Sequence, residues 1–142
     1  MTTSEIGISH VFADFIKNIA FEKMNPLPII GNGEQIRCFT WIDEVAQAIA
    51  DFSFVDESKN EIFNLGNPEP VSMKELAKLI HECAKELTLV PDGELSFQTV
   101  ANYKNDVIVR LPDVSKTRRV LGWSARQQVK ESITKCLMEA WK

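Results

Sequence analysis

One tyrosine, two histidines and three cysteines are all that 142 residues provide of the side chains that most often carry covalent or metal chemistry. The cysteines, Cys38, Cys83 and Cys136, are odd in number and form no close pair in sequence, which favours buried free thiols in a reducing compartment over a disulfide framework. His81 and Cys83 stand two apart on a helical pattern and face different directions, so no metal site is expected. Tyr103 is followed by Lys104 but has Val107 four positions on, so it lacks a lysine one helical turn away to lower its phenol pKa. No catalytic residue is assigned. There is no long apolar run and no charge block. A membrane span is excluded, and sixteen basic against twenty acidic residues leave a net charge of −4, which argues against nucleic-acid binding. Met1-Thr-Thr-Ser-Glu-Ile lacks the basic and apolar blocks of a secretory leader, so the expected location is cytoplasmic.

Glycine is sparse, with six residues, and only Gly31 and Gly33 stand close together. A dinucleotide fingerprint needs a third glycine where the chain has Ile36, and it needs a strand, turn and helix around it. No cofactor is therefore expected to bind this chain alone. The pair instead predicts a tight loop between Leu27–Ile30, a strand, and a second extended run over Gln35–Thr40. The loop sets Arg37 at a strand junction, where its planar fork can meet a phosphate or carboxylate or simply face solvent. Arg110 closes a β-branched run over Asp106–Leu111 and is the second candidate, whereas Arg118 and Arg119 read as solvated surface.

The remaining periodicities alternate helix and strand. Apolar positions from Val11 to Ala20 predict a helix that stops before Asn25-Pro26. Asp43 is placed as the cap of a second helix whose buried stripe is Val45, Ala48, Ile49 and Phe52. Ile62–Leu65 reads as a short strand, and Ser72 with Glu75 as a capping box before Leu76, Ile80 and Cys83. Leu95–Val100 is extended, Asp113 caps a short helix ending at Leu121, and Ser124 to Gln127 fits a second capping box before the final helix. The pattern predicts one α/β domain over residues 1–142, a small mixed layer without a complete Rossmann domain.

Four ordered segments together carry a resemblance. They are Pro28-Ile-Ile-Gly-Asn-Gly-Glu-Gln-Ile-Arg-Cys-Phe-Thr-Trp-Ile-Asp-Glu44, then Phe63-Asn-Leu-Gly-Asn67 with Val71-Ser72, Arg110-Leu-Pro-Asp-Val-Ser-Lys116, and Leu121-Gly-Trp123. In this order they resemble the C-terminal, substrate-binding part of the extended short-chain dehydrogenases/reductases, specifically the nucleotide-sugar epimerases, dehydratases and decarboxylases. The chain departs from the family at Ile30, where an aromatic residue is frequent, and at Cys38, where an acidic one is common.

The resemblance implies a nucleotide diphosphate sugar as ligand. Arg37 and Arg110 would grip its diphosphate, Leu27, Pro28 and Ile29 would lie near the base, and Asn64 would shape the surrounding loops. NAD(P) is implied for the complete family enzyme, held with the tyrosine-lysine pair by a Rossmann domain that this chain lacks. The partner implied is such a Rossmann domain or a second copy of the chain. An isomerase or lyase fragment that is inactive alone, a noncatalytic ligand-binding module and a protein-interaction module all remain open at this point.

Overall fold

The computed structural model describes residues 10–101, 104 and 106–140; the sequence reading of Tyr103 lies outside these residues. Helix α1 (Val11–Ile16) runs on into a π-helical turn over Lys17–Phe21, and strand β1 (Leu27–Ile30) follows. The short strand β2 (Ile36–Arg37) precedes helix α2 (Ile42–Phe52). Strand β3 (Val71–Ser72) leads directly into α3 (Met73–Glu86), and β4 (Phe97–Val100), α4 (Ser115–Leu121) and α5 (Val129–Ala140) complete the order. β1 pairs in parallel with β4, Leu27 opposite Phe97. β2 pairs antiparallel with β3, and Ile36 makes an isolated parallel bridge to Val109 on its other side.

The core is built where these periodicities agree. Leu76, Ile80 and Cys83 of α3 are fully buried against Ile133 and Leu137 of α5, Ile19 of the π-helical turn, and Leu27 of β1. Alternation along β1 buries Leu27 and Ile29 and leaves Pro28 and Ile30 half-buried on the other face. The bonds from Leu27 N to the Ser96 carbonyl and from Gly31 N to the Val100 carbonyl turn the odd-numbered amides of β1 towards β4. Pro28, which has no N–H to offer, therefore falls on the unpaired edge, where proline is tolerated.

The start of α3 fixes the glycine loop. Ser72 and Glu75 form the expected capping box, and the amides of Met73 and Lys74 donate to the carbonyls of Gln35 and Gly33 at 3.0 Å each. Gly33 has φ +76°, and a Cβ there would stand 2.4 Å from Cδ1 of Ile29. The positive φ favours glycine, and the end of the Ile29 side chain would have to shift to admit a Cβ.

Several elements differ from the sequence pattern. Ile62–Leu65 is not a strand, because side chains take the carbonyls a ladder would use. Lys116 Nζ donates to the Ile62 carbonyl at 3.0 Å and Thr117 Oγ1 to that of Asn64 at 2.7 Å. The extended runs predicted over Gln35–Thr40 and Asp106–Leu111 shrink to β2 and the single bridge at Val109. Asp43 is not the cap of α2: its carboxylate accepts the Trp41 indole N–H at 3.0 Å, and Trp41 itself holds the N-cap position.

The α2 stripe is also shallower than its pattern. Of its four residues only Ala48 is buried, and Ile49 is 54% exposed, since the helix lies outside the main cluster. Ser124 does not open α5; its hydroxyl accepts from Arg118 Nε, and Glu44 Oε1 instead accepts the amides of Arg126 and Gln127 at 2.7 and 3.1 Å. No helix among the described residues is long and apolar enough to cross a membrane.

Candidate functional site

Arg37 sits on β2, where it pairs with Val71 of β3 while its neighbour Ile36 bridges to Val109, so the strand is held from both sides. Ile36 N donates to the Ile108 carbonyl at 2.7 Å, and Arg110 N donates to the Ile36 carbonyl at 3.1 Å. Arg37 and Arg110 directly follow Ile36 and Val109, so the bridge joins the two backbone segments that carry the predicted arginines.

Their side chains are in different states. Arg37 Nη1 donates to the carbonyls of Ile36 and Ile108 at 2.8 and 3.3 Å, and Nη2 donates to Asp106 Oδ1 at 3.2 Å. The other oxygen of Asp106 accepts from Gln35 Nε2 at 3.1 Å, and Gln35 Nε2 also reaches the Ile30 carbonyl. This network ties the glycine loop, β2 and the 106–110 segment together. Arg110 is exposed, whereas Arg37 is half-buried.

The other predicted residues are placed unequally. Leu27 and Ile29 are 0% and 3% exposed, with their side chains in the core, so only their backbone and Pro28 are left to face a ligand. Asn64 is exposed and makes no bond to either arginine; its Nδ2 donates to the Asp113 carbonyl at 2.9 Å, which ties its loop to the segment running on from Arg110. Thr40 reinforces that junction by accepting the Asn67 amide at 2.9 Å. Gln35 and Asp106 went unassigned in the sequence, because a contact across 71 positions leaves no periodic signal.

Electrostatics argue against a nucleophile beside the arginines. Burial, helped by Glu69, pushes the Cys38 thiol up, so it stays protonated near neutral pH. Asp113 is the opposite case: hydrogen bonds from Ser115 hold its carboxyl below the usual range, which keeps it ionised at the start of α4. No cluster of three or more His, Cys, Asp or Glu suited to a metal occurs among the described residues. The Gly31–Gly33 turn does not fit a dinucleotide either. It leads into a strand, and its Gly33 Cα is covered by Ile29 and Lys74, so no helix N-terminus or open glycine face is aimed at a pyrophosphate.

Comparison with known proteins adds the relationship. The family model described as GDP-mannose 4,6 dehydratase matches residues 3–136. The chain belongs to the extended short-chain dehydrogenase/reductase family of nucleotide-sugar epimerases and dehydratases. It is 28% identical over 111 residues to UDP-glucuronic acid decarboxylase 4 of Arabidopsis thaliana, covering 78% of this chain and 23% of that protein. The solved UDP-glucose 4-epimerase of Thermotoga maritima, crystallised with UDP-glucose, has the same fold over 96% of this chain and 40% of its own, with TM-score 0.76 and 24% identity. The Thermus thermophilus UDP-glucose 4-epimerase, solved with NAD, matches 90% of this chain and 39% of its own at TM-score 0.72 and 20% identity. The epimerase/dehydratase-family chain thus spans about a quarter of the length of its curated relatives and about two fifths of the solved ones.

Proposed function

We propose that this chain is the substrate-binding portion of an NAD-dependent nucleotide-sugar epimerase or dehydratase, and that Arg37 and Arg110 hold the diphosphate of the nucleotide sugar. The observation that supports this reading is the parallel bridge between Ile36 and Val109, the residues that immediately precede the two arginines. Two guanidiniums turned to one ligand would offer the charge and the forked donors that a diphosphate takes up. The names of the relatives, which act on UDP-sugars, support the same ligand class.

NAD supplies the hydride acceptor in such enzymes, and the residues present do not form its cradle. On this reading redox chemistry belongs to a Rossmann domain, and the expected outcome for this chain alone is no turnover. Its own contribution is to bind and orient: Arg37 and Arg110 grip the diphosphate, Pro28 and the β1 backbone border the base, and the Asn64 loop shapes one side.

Calorimetry with UDP tests the clamp. Wild-type protein is expected to bind, and Arg37→Ala and Arg110→Ala each to weaken binding; equal affinity in all three proteins would sink the reading.

A second reading, a noncatalytic interaction module, is favoured by the apolar surface of α2. Ile42 and Ile49, seven residues apart on one helical face, are 67% and 54% exposed. A Rossmann-domain partner or a second copy would cover them. Light scattering over a concentration series distinguishes the cases, since self-association raises the mass with concentration, whereas a monomer that binds an apolar dye weakly has no sticky face.

A further inference from the structure

The network around Arg37 contains an anion of its own. Asp106 Oδ1 takes Nη2 of Arg37 and Oδ2 takes Gln35 Nε2, and the Arg37 and Asp106 side chains are only 20% and 18% exposed. A guanidinium has five N–H donors. Two from Nη1 go to the Ile36 and Ile108 carbonyls and one from Nη2 goes to Asp106. Nε–H and one Nη2–H remain. A phosphate approaching those two donors meets a carboxylate already seated on the same nitrogen.

On the reading that Arg37 binds the diphosphate, we propose that Asp106 is an affinity-setting counter-ion. It neutralises and holds the Arg37 fork in the empty site and yields Nη2 when the diphosphate arrives. The contrary role, in which Asp106 merely aims the arginine, is weakened by the two carbonyl bonds. These bonds come from the backbone of β2 and its bridge partner, so they survive loss of the Asp106 side chain. What disappears with the carboxylate is one negative charge beside the phosphate. With solvent screening a partly exposed site, removing one unit charge beside the phosphate amounts to roughly a ten-fold or larger change in affinity.

The sign of the effect decides between these roles. UDP is titrated calorimetrically into wild type, Asp106→Asn, Asp106→Ala and Arg37→Ala, each checked for folding by thermal melt. The expected result is UDP binding about ten-fold tighter in both Asp106 variants and much weaker in Arg37→Ala. Asp106 variants that bind like wild type or more weakly, while Arg37→Ala still loses affinity, overturn the counter-ion and leave the clamp standing. No UDP binding by wild type or either Asp106 variant at millimolar concentration removes both. If the Asp106 variants do not fold, the wild type decides: with aspartate carboxyl carbons labelled, the Asp106 resonance should shift at saturating UDP, and an unmoved resonance overturns the proposal.

Discussion

Replacing Arg37 by lysine separates charge from geometry at the proposed clamp. Lysine keeps the positive charge but offers a single ammonium with three donors, and it cannot span two carbonyls, Asp106 and a ligand as the guanidinium does. At the phosphate, the loss is one of two charge-assisted hydrogen bonds, about 1.5–3 kcal/mol, or roughly 10- to 150-fold in affinity. A second cost falls on the fold. The Ile108 carbonyl loses the long 3.3 Å contact but keeps its bond from Ile36 N, so the expected destabilisation is only about 1 kcal/mol. UDP titration and urea unfolding of the same preparations measure the two effects. An Arg37→Lys protein that binds UDP within two-fold of wild type would show that charge alone suffices and refute the forked geometry.

Other residues give independent checks. Ser72→Ala removes the hydroxyl that accepts the Glu75 amide and should lower stability by about 1 kcal/mol in denaturant unfolding, leaving the m-value unchanged. Gly33→Ala forces a Cβ to within 2.4 Å of Ile29 and strains a positive φ, so a loss of about 1–3 kcal/mol is expected, with disturbance of the adjacent Arg37 strand seen in amide spectra. Burial and Lys85 hold the His81 imidazole pKa below its ordinary value. A base with a depressed folded pKa takes up protons more readily when unfolded, so stability should fall as pH drops below about 6.5, and His81→Gln should flatten that slope in pH-dependent melts.

The helical core was legible in the chain itself. The spacing of Leu76, Ile80 and Cys83 and the Ser72–Glu75 box specify α3 locally, and α3 is where the structure follows the sequence most closely. The strands were less legible because their partners are remote. Ile62–Leu65 has the composition of a strand, yet its carbonyls are bonded by Lys116 and Thr117, more than fifty residues away. Asp43 and Ser124 have the right chemistry for caps, but Trp41 and Arg118 engage them first, and Glu44 supplies the bonds that a local cap before α5 would have made.

At the candidate site, the loop glycines and the two arginines stand out from their neighbouring residues in sequence, and the bridge between Ile36 and Val109 joins the segments that carry the arginines. Gln35 and Asp106 do not stand out, because their role exists only once the chain has closed on itself. The α2 pattern misled in a different way. Its apolar face is real in sequence, but Ile42 and Ile49 are presented to the surface and not to the core.

A double-mutant cycle on UDP affinity, with Arg37→Ala, Arg110→Ala and the combined variant, tests most directly whether the two arginines act on one ligand. Side chains sharing a diphosphate should couple, with the double variant departing from the sum of the single effects by about 0.5–3 kcal/mol. Strictly additive losses, or no loss at Arg110, would contradict the shared clamp.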